Sequence, residues 1–154
     1  MINFIFDAKI KRPMELYYQQ ERNADFLGVC ERIRKETKGY ISVACIARKA
    51  VYCEAELFYL PAREIARIIR FKSKIEVSSS AKIELYKEIE RRSKEINENG
   101  KVSCETIARI IEIQKAPRFY ITEARAVSLY YELLKNKKNA ISNSTKFFNR
   151  VFGI

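Results

Sequence analysis

The sequence contains no histidine and no tryptophan, and only 4 glycines and 3 prolines. Without imidazole, the side chain that titrates nearest neutral pH is missing, and acid–base chemistry would fall to carboxylates, lysine or tyrosine. Glycine is too sparse for a phosphate loop, and neither a glycine-rich dinucleotide turn nor a nucleophile elbow is present. The 4 cysteines, Cys30, Cys45, Cys53 and Cys104, include no CxxC pair. A zinc site would have to be gathered from scattered thiolates, whereas each cysteine falls on or beside an apolar helical face, as a buried thiol does. Paired carboxylates such as Glu54 and Glu56 sit amid ordinary helix surface. No apolar stretch is long enough to span a bilayer, and MINFIFDAKIK lacks the positive leader of a signal peptide. These absences predict a non-enzymatic, cytoplasmic protein, with no cofactor, no metal and no membrane partner.

What is present points to helices. The chain has 154 residues, 47% of them hydrophobic, enough for one core. With so few glycines and prolines, long helices can run uninterrupted, and an all-α class follows. Charge is the strongest global feature: 30 Lys and Arg against 19 Asp and Glu, a net +11. Such a balance favours phosphate-rich or acidic partners.

Residues 102–134, VSCETIARIIEIQKAPRFYITEARAVSLYYELL, carry the clearest local signals. Ser103 suits an N-cap, with Glu105 at the positive end of the helix that follows. Cys104, Ile107, Ala108 and Ile111 recur at helical spacing, with Ile110 and Ile113 widening the apolar face. Pro117 is expected to stop this helix and Phe119–Ile121 to form a short extended connection. Thr122 then caps a second helix whose expected buried stripe is Ala124, Val127, Tyr131 and Leu134.

An earlier stretch follows the same logic. Ser42 precedes a helical run, Ile46-Ala47-Arg48 matches Ile107-Ala108-Arg109, and Phe58-Tyr59-Leu60 matches Phe119-Tyr120-Ile121. Pro61 stands where Thr122 stands, as a residue suited to opening a helix. Glu15-Leu16-Tyr17 also resembles Glu84-Leu85-Tyr86, although the first copy has extra residues before Ser42. The expected architecture is two helical-hairpin repeats packed as one bundle. It comprises an N-terminal arm at 1–13, repeats at 14–76 and 77–136, and a basic, aromatic tail at 137–154. Two unrelated hairpins with ordinary capping would look similar.

KAPRFYITEARA, residues 115–126, resembles a segment of small helical proteins from Bacteroidales bacteria and their phages, crAss-like phages included. Those carry a similar Ala-Pro-Arg-Phe-Tyr run, then a Ser or Thr and a helix. The resemblance reaches over residues 84–134 and implies a bacterial or phage context rather than an activity. The first copy departs from it, with Ala55-Glu56-Leu57 where Ala116-Pro117-Arg118 stand, so a role for Arg118 belongs to the second copy alone.

Three groups are candidate contacts. Arg63, Arg67, Arg70 and Lys74 recur at helical spacing, with Lys72 beside them, and such a stripe suits a phosphate backbone. A solvated face of one sign would give the same pattern. Arg118, Phe119 and Tyr120 offer a guanidinium and stacking faces for a single strand, although such aromatics also pack under hairpins. Residues 135–154 hold no acid. Lys135, Lys137, Lys138, Lys146 and Arg150 make this segment basic, and Ser144 is placed to cap a short helix carrying Phe147, Phe148, Val151 and Phe152. Phe147, Phe148 and Phe152 are its partner-docking candidates, and docking on the protein's own core is the alternative. The sequence therefore points to nucleic-acid binding through phosphate contacts. A structural component of a phage particle (an adaptor, ring or internal protein) is the competing expectation, and either fits an acidic protein neighbour, a homo-oligomer or a larger assembly.

Overall fold

Six helices form among residues 13–71 and 79–153, which the computed structural model describes. They are α1 (Pro13–Glu36), α2 (Val43–Ala50), α3 (Ala62–Phe71), α4 (Ser80–Ile96), α5 (Cys104–Glu112) and α6 (Glu123–Phe152). The expected arm at the N-terminus, Lys72, Lys74 and the start of the Ser78–Ser80 hinge lie outside the described residues. Within them the fold is all-α and has no sheet. No helix there is long and apolar enough to cross a membrane.

Local chemistry sets the helix ends. Ser42 Oγ accepts from Cys45 N at 3.2 Å, Ser103 Oγ from Thr106 N at 3.3 Å, and Thr122 Oγ1 from Arg125 N at 3.2 Å. Each bond satisfies a first-turn donor that the helix itself leaves unpaired. Pro61 opens α3 through its carbonyl, which accepts from Glu64 N at 2.9 Å and Ile65 N at 3.1 Å. After α1 the chain turns at Gly39, where φ of +86° suits a residue without Cβ.

Apolar faces from all six helices meet in one core. Phe26 of α1, Ile46 and Ala47 of α2, Ile65 and Ile68 of α3, Ile89 of α4, Ile107 and Ile111 of α5, and Leu129 and Tyr130 of α6 are buried. Phe26 meets Phe119 edge-on, ring centroids 5.4 Å apart. Among the described residues no charged or polar residue joins the buried set. Each fully buried large apolar side chain contributes about 1.5–3 kcal/mol before ordering costs are subtracted.

The pairing of helices is not that of two self-contained hairpins. α3 packs chiefly on α5 and α2 on α6, while α1 touches α2 and α6, and α4 touches α3 and α5. The two helices of each expected hairpin therefore find their main partners in the other half of the chain. Between them the connectors cross: Ala55 N donates to Ala116 O at 2.9 Å and Ala116 N to Ala55 O at 3.0 Å, an isolated antiparallel bridge. Phe119 N adds a bond to Val51 O at 3.0 Å.

Four expectations are corrected. α5 ends at Glu112, well before Pro117, and leaves Ile113 77% exposed in the connector instead of widening the apolar face. The buried face of α6 is Ala126, Leu129 and Tyr130, while Ala124 and Tyr131 are exposed, because α2 and α1 cover the side adjacent to the expected stripe. Only Cys30 is fully buried; Cys45, Cys53 and Cys104 are half-buried free thiols. Finally, no new helix starts at Ser144. The backbone runs unbroken from Glu123 to Phe152, so the expected tail is the far half of α6.

Candidate nucleic-acid interface

On α3, Ile65, Ala66 and Ile68 face the core, which turns Arg63, Arg67 and Arg70 outward. Over these three arginines the spacing expected from the sequence is realised as one exposed stripe, while Lys72 and Lys74 lie outside the described residues. Its charge is largely answered by acids. Arg67 Nε donates to Glu64 at 3.0 Å, and Arg70 pairs with Glu105 of α5. The Glu64 hydrogen bond raises the Arg67 pKa above the ordinary arginine value. Exposed pairs of this kind are worth ~0–1 kcal/mol and are opened readily by a competing phosphate, but they reduce the net field of the stripe.

Arg118 is held inside the connector. Its Nη1 meets Glu84 Oε2 at 2.6 Å, and its Nε and Nη2 donate to the carbonyls of Phe119 and Ile121, both at 3.2 Å. The guanidinium carbon lies 4.6 Å from the Tyr52 ring centroid and 5.8 Å from that of Tyr120. Only 13% of the side chain is exposed. Phe119 is buried, and Tyr120 stacks on Phe58 with ring planes 4° apart. These groups are in use within the protein, and their stacking faces are largely covered.

The far half of α6 differs in every respect. All residues from Lys135 to Gly153 are exposed. At about 1.5 Å per residue, Lys135–Phe152 extends some 25 Å past the last core contact. Lys135, Lys137, Lys138, Lys146 and Arg150 are its charged residues, and no acid accompanies them. Lys137 bonds Glu31 of α1 at 2.5 Å and holds the Glu31 carboxyl below its usual pKa, which ties the base of the extension to the bundle. Turning by about 100° per residue places Lys135, Lys138, Lys146 and Arg150 along one side. Ile141, Phe147, Phe148, Val151 and Phe152 fall on the opposite side and are 52–69% exposed. Phe148 and Phe152 touch, with ring centroids 4.4 Å apart. Gly153, with φ of +67°, closes the helix in a left-handed cap.

The expected contacts thus separate into two surfaces and one internal clamp. The sequence places the α3 arginines on an exposed helix face, as found. It assigns the cations after Leu134 to a basic tail, and the opposed sides of α6 emerge only once the helix is seen to be continuous. Among the described residues, no group of His, Cys, Asp or Glu could hold a metal ion. In comparisons with known proteins, no family model, curated protein or solved structure matches the chain.

Proposed function

We propose that this all-α protein is a non-enzymatic binding protein that engages nucleic acid through its phosphates, and that the extension of α6 is its principal contact. The observation that carries this reading is an exposed helix with cations on one side and no acid. Each phosphate neutralised by Lys135, Lys138, Lys146 or Arg150 releases counterions and adds a salt-sensitive increment to affinity. Backbone contacts of this kind carry no sequence information by themselves, so recognition of duplex shape or charge is the expected mode. The α3 arginines form a secondary contact after exchanging Glu64 and Glu105 for phosphate.

The two-repeat reading supports this division of labour. One constant shift carries Ser42, Ala55, Phe58 and Tyr59 onto Ser103, Ala116, Phe119 and Tyr120. The contacts of α2 with α6 and of α3 with α5 are related in the same way, and the Ala55–Ala116 bridge joins equivalent residues. Two related halves interlocked about this bridge form the scaffold, and the length of α6 beyond α3 is what the second half adds.

The test is titration of labelled duplex and single strand into the full chain and into K135E/K138E/K146E. Binding that is steeply salt-dependent and lost in the variant supports the proposal. Equal binding by both proteins refutes it.

A second reading is favoured by the aromatic side of the same helix. Ile141, Phe148, Val151 and Phe152 form an apolar strip that phosphate contacts leave uncovered. A component of a larger assembly, such as a phage particle, would bury it against a neighbouring subunit. Sedimentation of wild type and F148E/F152E separates the readings: an oligomer dispersed by the variant supports assembly, and a monomer in both cases counts against it.

A further inference from the structure

We infer that a second, separate site binds a phosphate group in the cavity between the starts of α3, α4 and α6. The cavity has a volume of about 560 Å3 and lies against α1 and the first connector. Its size is in the range of sites that take small organic ligands, roughly 300–1,000 Å3. Arg22 of α1, Lys82 of α4 and Arg125 of α6 line it, with Glu64 the lining acid and Tyr18 and Tyr59 among its walls.

Three features make this cavity a place for an anion. First, Glu64 is already engaged by Arg67, so the lining cations lack a matching acid. Among the described residues Arg125 pairs with Glu132, at 3.5 Å, and Lys82 has no ion pair. Second, Arg22 is a half-buried cation whose Nη2 donates to Asn23 Oδ1 at 3.1 Å while its buried Nε has no hydrogen-bond partner. Its guanidinium pKa is lowered, by burial first and then by the facing charge of Arg125. Third, Glu64, Lys82 and Arg125 each belong to the first turn of their helix. A helix start carries positive potential, so a cation there is unfavourable unless an anion is shared. At α3 the potential is met by Glu64 and by Glu112, which accepts from Ala62 N. α4 has no acid in its first turn, and its N-cap Ser79 makes no side-chain bond.

Like charges gathered around one cavity disfavour one another's charged forms unless an anion binds between them. The unanswered Lys82 and α4 start, with Arg125 held only by a long exposed pair to Glu132 and Arg22 behind them, suit a doubly charged phosphate better than a single carboxylate. Tyr59 borders the same cavity in a strained backbone, φ +59°, held by its hydroxyl bond to Asp25. For a residue with a Cβ that conformation persists only where its surroundings impose it, and it turns the Tyr59–Pro61 connector along the cavity wall.

A phosphate here could come from a free phosphorylated small molecule or from the 5′ end of a nucleic acid. The experiment uses calorimetric titration of the full chain at low ionic strength with pyrophosphate, with adenosine monophosphate against adenosine, and with a short oligonucleotide bearing a 5′ phosphate against the same strand with a 5′ hydroxyl. K82Q and R125Q replace exposed side chains and keep the fold. Each removes one charge-assisted bond, so pyrophosphate affinity falls about tenfold or more. K135E/K138E/K146E retains pyrophosphate binding, which separates this site from the proposed α6 contact. Tighter binding of the monophosphate assigns a small molecule, and a preference for the 5′-phosphorylated strand assigns a nucleic-acid end. Absence of saturable pyrophosphate binding, or equal binding by K82Q and R125Q, overturns the inference.

Discussion

Replacing Arg118 should damage the fold and leave nucleic-acid affinity nearly unchanged. In Arg118→Met the aliphatic stem still packs, but the carbonyls of Phe119 and Ile121 lose their donors, both now at 3.2 Å. Removing a charged donor from a carbonyl beside the core costs about 1.5–3 kcal/mol, and bonds of this length belong at the lower end. Two such losses give about 3 kcal/mol. Glu84 is 54% exposed, so its 2.6 Å pair with Arg118 adds less than about 1 kcal/mol after solvent screening. Urea unfolding followed by far-ultraviolet circular dichroism reads the result directly. With an m-value of about 2 kcal/mol/M, the midpoint should fall by about 1.5 M at unchanged slope. Arg118→Lys keeps the charge but not the planar fork and should recover about half of that loss. A midpoint unchanged within error, together with a large loss of oligonucleotide binding, would refute the clamp and return Arg118 to the binding surface.

Other outcomes follow from the same packing. Phe119→Ala opens a void beside Phe26 and should cost about 3–5 kcal/mol, measured by the same unfolding experiment. Cys30 is buried, and burial pushes its thiol pKa up to about 12, so a thiol reagent at pH 8 should modify Cys45, Cys53 and Cys104 well before Cys30, and all equally in denaturant. Burial also pushes the Tyr120 phenol up to about 12, and raises those of Tyr59 and Tyr130. The folded chain therefore holds protons that the unfolded chain releases from about pH 10, so stability is intact below pH 10 and falls as the pH rises toward 12. Tyr120→Phe should flatten that alkaline decline in unfolding free energy against pH.

Capping residues made much of the fold legible. Ser42, Ser103 and Thr122 each sit one residue before a helix and bond its first turn, as their side chains and position dictate. Periodicity located Ile107, Ala108 and Ile111 in the core, because a short helix with one apolar stripe has one way to bury it. On α6 the same reasoning chose the adjacent stripe, since VSLYYELL offers apolar residues on two overlapping faces and only the neighbours α2 and α1 decide between them. The continuity of α6 was hidden by NAISNSTK, whose asparagines and serines favour caps and turns over helix interiors.

The candidate surfaces were legible in unequal measure. Arg63, Arg67 and Arg70 lie on one helix, so spacing alone puts them on one face. Their neutralisation by Glu64 and Glu105 depends partly on a contact between α3 and α5 that local pattern does not contain. Arg22, Lys82 and Arg125 come from three helices and share no motif, and only the packing of the two halves brings them to one cavity.

The measurement that bears most directly on the proposed function is the salt dependence of duplex affinity. It compares wild type, R63E/R67E/R70E and K135E/K138E/K146E/R150E by fluorescence anisotropy. If the four α6 cations each neutralise a phosphate, they account for about 3.6 of the slope of log affinity against log salt on a duplex. The α6 variant should lose most of both slope and affinity, and the α3 variant a smaller share. An α6 variant that binds as wild type does, with the same slope, would contradict the assignment of the extension as the principal contact.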